Sequence, residues 1–267
     1  MIRRFLGVVP SRPASPASCQ CCRPCVECSY VAMPSLRGVV IGDSQVKFMC
    51  RSRLRLKTSV ETCTFSFSGF TAVRLAEAVS AMAFQRVDFA ILYVGGNDIS
   101  HANAVPQEIC NNIRELVLQM QRNVAPLVYV FKVLPRCYSP EDTDAVRKRQ
   151  KARLLNRKLT ATLKRLPCVR ILNAEHRFLN SAKEPRRGLF AYDGYHVSRG
   201  RGIDQLAKII VSALARDFGP GIRSFGRSEP GVSYRVLKCT HCNTKGHQSC
   251  ECSQFLRLPS HHGPRPL

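Results

Sequence analysis

From Leu36 to Phe218 apolar and polar positions alternate between two periods, short β-branched runs of strand length and longer stretches with apolar residues three and four apart. The first run, Val39-Val40-Ile41, stops at Gly42-Asp43-Ser44, the signature of a central strand of a parallel sheet ending in a tight turn. Lys47 to Lys57 reads as a basic helix and connection, and Val60 to Phe67 as a second strand ending at Ser68-Gly69-Phe70. Thr71 to Met82 then carries Val73, Leu75, Ala76, Val79 and Met82 at helical spacing. Val87 to Val94 is a third strand, running into Gly95-Gly96-Asn97-Asp98. Gln107 to Arg122 is a helix with Ile109, Ile113, Leu116, Val117 and Met120 on one face, and Leu127 to Leu134 is a strand closed by Pro135. Glu141 to Leu166 reads as a long helix, Leu155, Leu159, Leu163 and Leu166 inward, and Val169 to Leu172 as a short last strand. After Asp193-Gly194-Tyr195-His196 a closing helix covers roughly Ile203 to Phe218. Alternating strands and helices predict an α/β fold, a parallel sheet with helices on both faces.

The flanks lack this pattern. Residues 1–34 hold five prolines and Cys19, Cys21, Cys22, Cys25 and Cys28 with no periodic apolar positions. Two readings stand for that cluster: reduced cysteines without structure, or a truncated zinc module missing its second knuckle. The expected organisation is an irregular segment over 1–34, the α/β domain over 35–218, a linker over 219–236, a small cysteine module over 237–253 and a disordered tail over 254–267.

Composition narrows the partners. Forty-one Lys and Arg against 18 Asp and Glu give a formal charge of +23, a surface suited to nucleic acid or another polyanion. Most of the 14 cysteines fall in the two terminal clusters, a distribution that suits a reducing compartment with metal sites better than a disulfide scaffold. The apolar stretch Phe5 to Val9 is shorter than a signal-peptide core, and no run approaches the ~20 apolar residues of a membrane span. An intracellular location, cytoplasmic or nuclear, is the expectation.

The strand ends collect chemistry. Ser44, Gly69 and Asn97 follow three strands, and Asp193 and His196 share a later loop. Serine is a weak nucleophile until a base takes its proton; His196 can do so, with Asp193 holding the imidazole tautomer. The backbone N–H groups of Ser44 and Gly69 and the Asn97 amide would receive the developing oxyanion. Singly, each has a plainer reading: an N-cap serine, a strand-to-loop turn, a surface histidine. Asp98 reads as structural, and Asp88, His101 and His176 have no assigned role.

In order, Gly42-Asp43-Ser44, Ser68-Gly69, Gly95-Gly96-Asn97-Asp98 and Asp193-Gly194-Tyr195-His196 resemble the four blocks of the SGNH hydrolases, the GDSL esterase and lipase superfamily, over about residues 36–218. The resemblance implies a flavodoxin-like three-layer α/β/α fold and carboxyl-ester or related acyl hydrolysis with no catalytic cofactor. Two departures stand out. Gln45 occupies a position that is often Leu, and the glycine expected five residues beyond the histidine is displaced, with Gly200 and Gly202 flanking it.

Near the C-terminus, Cys239, Cys242, His247 and Cys252 follow a Cys-x2-Cys-x4-His-x4-Cys spacing, three thiolates and an imidazole able to close a tetrahedral shell around zinc. This resembles the zinc knuckle of retroviral nucleocapsid and retrotransposon proteins, which implies single-stranded nucleic acid, RNA or DNA, as a partner. No aromatic lies between the ligands, so affinity would rest on charge more than stacking; the plainer reading is a knuckle that only folds the tail or contacts protein. Arg147, Lys148, Arg149, Lys151, Arg153, Arg157 and Lys158 read as a phosphate-contacting stripe or a solvated helix face. An SGNH-type domain beside a knuckle resembles the first-open-reading-frame proteins of some non-LTR retrotransposons. That resemblance implies a serine esterase with a nucleic-acid-binding tail; the competing reading keeps the hydrolase fold as an inactive scaffold for RNA or single-stranded DNA, and a third is an ordinary cytosolic esterase with an incidental tail.

Overall fold

Strand alternation decides how this chain layers. In a computed structural model describing residues 36–49, 51–54, 56, 60–136 and 144–222, five parallel strands form one sheet: β1 (Leu36–Gly42), β2 (Val60–Ser66), β3 (Phe89–Tyr93), β4 (Leu127–Phe131) and β5 (Val169–Leu172). Their order is β2-β1-β3-β4-β5, the flavodoxin-like order. β3 is buried at every position and β1 from Gly38 onward, because helices cover both faces.

The period-2 alternation sends Val39, Ile41, Ala90, Leu92, Val128 and Val130 to one face. There they meet α2 (Ala72–Ala81), α3 (Pro106–Asn123) and α4 (Ala145–Leu163) through residues such as Leu75, Leu116 and Leu159. Val40, Phe89, Ile91, Tyr93, Tyr129 and Phe131 point to the other face, against α6 (Arg201–Phe218) through Ile203, Leu206, Ile210 and Leu214. Two one-turn helices, α1 (Arg51–Leu54) and α5 (Glu175–Phe178), close that second layer with Leu54 and Phe178.

Several boundaries differ from the sequence expectation for local reasons. Among the described residues of Lys47–Lys57, the single turn α1 is the only helix. The strand expected to reach Leu134 ends at Phe131, because buried Asn156 of α4 takes over the Val133 backbone: its Nδ2 donates to Val133 O (2.9 Å) and its Oδ1 accepts from Val133 N (2.8 Å). The long helix spans Ala145–Leu163 rather than 141–166, with Leu155, Leu159 and Leu163 buried and Leu166 half-buried just beyond it. In α2 the buried positions are Ala72, Leu75, Ala78 and Val79, while Val73, expected inward, is 46 % exposed. The Thr71 side chain caps the helix by accepting from Arg74 N, and at 3.6 residues per turn Val73 falls away from the face that carries Ala72, Leu75 and Val79.

The order places a topological switch between β1 and β3: the chain leaves β1 for one neighbour, β2, and returns to pair its other side with β3. Open α/β sheets offer a crevice at such a point, outside the carboxyl ends of the strands. Ser44 follows β1 there, and Asn97 follows β3.

Candidate active site

Ser44 opens a single 3-10 turn, Ser44–Val46, directly after β1. Asp43 caps that turn, its Oδ1 accepting from Gln45 N at 2.9 Å. Among the described residues, no acceptor is bonded to the N–H of Ser44 or of Gly69. A first-turn N–H is free by construction. Gly69 lies in the turn beyond β2 at φ +77°, a left-handed conformation that glycine adopts without steric penalty.

His196 comes from a loop closed by an antiparallel bridge between Phe190 and Val197. Within it Ala191 N donates to His196 O (2.7 Å), and Asp193 Oδ1 accepts from the backbone N–H groups of Tyr195 (2.8 Å) and His196 (3.0 Å). Asp193 Oδ2 lies 2.7 Å from His196 Nδ1, and His196 Nε2 lies 2.9 Å from Ser44 Oγ, across 152 positions of chain. With Nδ1 protonated and donating to the carboxylate, Nε2 is left to accept from the serine hydroxyl. Partial burial acts to raise the Asp193 pKa, but the His196 side chain and the two backbone donors outweigh it and hold the carboxyl below its ordinary range.

Asn97 sits beside them. Its Nδ2 donates to Phe70 O (2.9 Å), which leaves the second amide hydrogen for another acceptor, and its Oδ1 accepts from the Tyr195 hydroxyl at 3.0 Å. The arrangement can therefore move a proton from Oγ to Nε2, and the Ser44 N–H, the Gly69 N–H and one Asn97 amide hydrogen are left without an acceptor among the described residues. Asp98 is buried and accepts from Ala72 N at the start of α2, in keeping with a structural reading; burial raises its pKa. Asp88 accepts from Arg37 N, and His176 lies on the surface.

Four residues of this region were absent from the sequence expectation. Gln45, 2 % exposed, reaches across the fold with both ends of its amide: Nε2 donates to Tyr195 O (3.1 Å) and Oε1 accepts from Val197 N (2.9 Å), so His196 is held on either side. Tyr195 hydrogen-bonds Asn97, tying the two loops together. Arg136, 4 % exposed, stacks its guanidinium on the Tyr195 ring, with Cζ 3.3 Å from the centroid, and donates to Ser100 Oγ (3.1 Å). It fits only because Gly96 has no side chain: a Cβ there would stand 2.4 Å from Nη2. Asp43 is 1 % exposed. Burial pushes its pKa up to about 6, against the lowering effects of the Gln45 N–H, Arg136 and His196. The sequence signal for the four was position: Asp43, Gln45 and Tyr195 adjoin proposed site residues, and Arg136 follows the expected end of the fourth strand by two residues.

The basic positions of α4 separate on the helix. Arg149, Arg153 and Arg157 recur four apart on the exposed face. Arg147 pairs with Asp144 (2.9 Å), Lys151 Nζ donates to Ala102 O (2.7 Å), Lys158 Nζ to Gln107 Oε1 (2.6 Å), and Lys148 is half-buried. Cys239, Cys242, His247 and Cys252, like the N-terminal cysteines, lie outside the described residues. No helix among the described residues is long and apolar enough to cross a membrane.

Solved structures resemble this domain. A GDSL-like lipase from Bacteroides thetaiotaomicron is 18 % identical, covering 68 % of this chain and 89 % of its own at a TM-score of 0.55. Est24, a carbohydrate acetylesterase from Sinorhizobium meliloti, is 18 % identical, covering 68 % and 100 % at 0.52. A carbohydrate esterase family 3 structure from Talaromyces cellulolyticus is 15 % identical, covering 68 % and 97 % at 0.51. At these identities the likeness speaks to the fold. No curated protein matches the chain. The model of the GDSL-like Lipase/Acylhydrolase family matches residues 43–200, more than half of the 267, a span that includes Ser44, Gly69, Asn97, Asp193 and His196: the chain belongs to that family.

Proposed function

We propose that the domain is a serine acyl hydrolase acting on carboxylic esters, with Ser44 as nucleophile, His196 as general base and then acid, and Asp193 as the group that orients and stabilises the imidazole. The observation that carries this reading is the continuous hydrogen-bond path Ser44 Oγ, His196 Nε2, His196 Nδ1, Asp193 Oδ2. Oγ attacks the ester carbonyl carbon as its proton passes to Nε2, and the oxyanion is met by Ser44 N–H, Gly69 N–H and the Asn97 amide. Collapse breaks the bond to the alcohol, which leaves with the Nε2 proton. Water then attacks the acyl-serine by the same path, releasing the carboxylic acid and restoring Oγ–H. Membership of an acylhydrolase family supports the class, and the resemblance to a carbohydrate acetylesterase and to a carbohydrate esterase family 3 structure accords with it.

The test is labelling of the purified chain with a serine-reactive fluorophosphonate beside Ser44→Ala and His196→Ala. Labelling of the wild type alone is expected. A folded wild-type protein that takes no label would overturn the reading in favour of an inactive scaffold.

For the C-terminal region the spacing of Cys239, Cys242, His247 and Cys252 carries a second proposal: these four hold a structural zinc ion, and the module, with the exposed Arg149, Arg153 and Arg157, binds single-stranded RNA or DNA, an arrangement like that of the retrotransposon proteins it resembles. The donor set fits zinc, soft thiolates with one imidazole. The ion would fold the segment and take no part at Ser44. One equivalent of zinc released by a thiol-reactive agent, and lost in Cys239→Ser/Cys242→Ser together with salt-sensitive binding of a labelled oligonucleotide, is the expected result. Unchanged zinc content in that variant would refute it.

A further inference from the structure

Close in the chain to the site residues, three cations face rings instead of carboxylates. Just beyond the Ser44 turn, the Phe48 ring has Arg199 Cζ 4.5 Å and Lys47 Nζ 5.9 Å from its centroid, and Arg199 lies three residues beyond His196. On the oxyanion side Phe70, whose carbonyl anchors Asn97, carries Arg74 Cζ 4.3 Å from its ring centroid. Lys47, Arg74 and Arg199 are all exposed.

Their lack of acidic partners is a local property. Elsewhere on the domain arginines find carboxylates: Arg53 with Asp204 at 3.0 Å, Arg147 with Asp144 at 2.9 Å, Arg170 with Asp217 at 3.6 Å. Among the described residues no carboxylate comes within 4.0 Å of Lys47, Arg74 or Arg199; of the two acids flanking the Ser44–His196 contact, Asp193 is committed to His196 and Asp43 is buried against Gln45 N. A guanidinium lying on a phenyl face is positioned by the ring and keeps its edge N–H groups available. Such an edge takes a carboxylate or phosphate through two parallel hydrogen bonds.

We propose that these two arginine-on-phenylalanine pairs, one on the histidine side and one on the oxyanion side, form an anion-selective rim, so that the preferred substrate is an ester bearing a carboxylate or phosphate close to the scissile bond. The inference deepens the hydrolase reading and rests on it. A substrate of that class is drawn to the site by the field of a strongly basic chain and oriented by the rim before Ser44 acts.

The experiment compares 4-acetoxybenzoate and 4-acetoxyphenyl phosphate, both anionic, with neutral methyl 4-acetoxybenzoate, in wild type and in Arg74→Glu/Arg199→Glu. The quantity read is the anionic-to-neutral ratio of kcat/KM at low salt, each normalised to the ester's hydroxide rate. Reversing two exposed charges should lower that ratio ~10-fold or more, and moderate salt should shrink the wild-type preference. Arg74→Gln/Arg199→Gln, which removes charge without adding acid, should give an intermediate fall, and the larger of the two anionic ratios identifies the favoured group. Hydrolysis of all three esters with one ratio shared by wild type and variants overturns the rim while leaving the hydrolase intact. Hydrolysis of none by the folded wild type overturns the hydrolase reading and the rim with it.

Discussion

Two aspartates stand at opposite ends of the Ser44–His196 contact, and their surroundings drive them apart. Asp43, next to the serine, is 1 % exposed, and burial lifts its pKa to about 6 even with Arg136 and His196 nearby. Asp193, next to the histidine, has a side chain 49 % exposed, and hydrogen bonds hold its pKa below the ordinary value. A carboxylate that remains ionised suits the imidazole; one that resists ionisation suits a packed turn. The same contrast runs through the two loops. The serine turn is continuous with a buried central strand, whereas the histidine loop is held by its own Asp193 turn, by Tyr195 and by the distant Gln45 amide.

The sharpest way to break this comparison is at the reacting atoms. Ser44→Ala should lower kcat on a chromogenic ester by on the order of 10⁴–10⁶-fold with the fold intact, read by steady-state kinetics beside circular dichroism. Residual turnover close to wild type would mean that the serine end is no nucleophile. Next is the contrast between the aspartates. Asp193→Asn should reduce kcat by on the order of 10²–10⁴-fold, because the amide no longer stabilises the imidazolium or enforces the tautomer. If Asp43→Asn proved the more damaging to kcat, the roles assigned to the two carboxyls would be reversed.

Gln45→Leu tests how the exposed loop is held. It removes both amide contacts and strands the Tyr195 carbonyl and the Val197 N–H, so kcat should fall ~10–100-fold with little change in KM, through misplacement of the imidazole. Stability should fall too, by about 1–3 kcal/mol for each buried group left unsatisfied, read by denaturant unfolding. An unchanged kcat would show that Asp193 and Tyr195 suffice to fix the loop.

The smallest effect concerns Asp43 and stability. Its pKa is raised from 3.8 to about 6 on folding. The protonated form is therefore favoured in the folded state; that contribution is complete below pH ~4 and is lost as pH rises through ~6. At pH 7–8 the buried charge opposes folding by on the order of 2–3 kcal/mol. Asp43→Asn keeps an Oδ1 acceptor for Gln45 N, so it should raise Tm at pH 7–8 and converge with wild type near pH 4. A variant destabilised at both pH values would show that the attraction to Arg136 outweighs desolvation.

Much of this molecule was legible because its determinants are local. Short apolar runs of strand length marked all five strands of the sheet, three of them leading into glycine and one closed by Pro135, and leucine and isoleucine spacing marked the buried faces of α3 and α4. Ser44, Gly69, Asn97, Asp193 and His196 stood out because chemistry-bearing residue types follow strand ends or share one short loop. The errors have identifiable causes: β4 stops early because the Asn156 amide captures the Val133 backbone, and Val73 faces solvent because the helical period puts it off the face of Ala72, Leu75 and Val79.

By itself, the sequence determined the α/β class, the order of the elements, the family blocks and the excess of positive charge, since periodicity, residue type and net charge need no knowledge of what meets what. Only the tertiary structure decided that Gln45 grips both sides of His196, that Arg136 lies on the Tyr195 ring within reach of the Asp43 charge, and that two aspartates close in space to one imidazole ionise differently. Those properties depend on contacts between residues as much as 152 positions apart and on how much water each group keeps, and both are set only when the sheet edge and the loops close together.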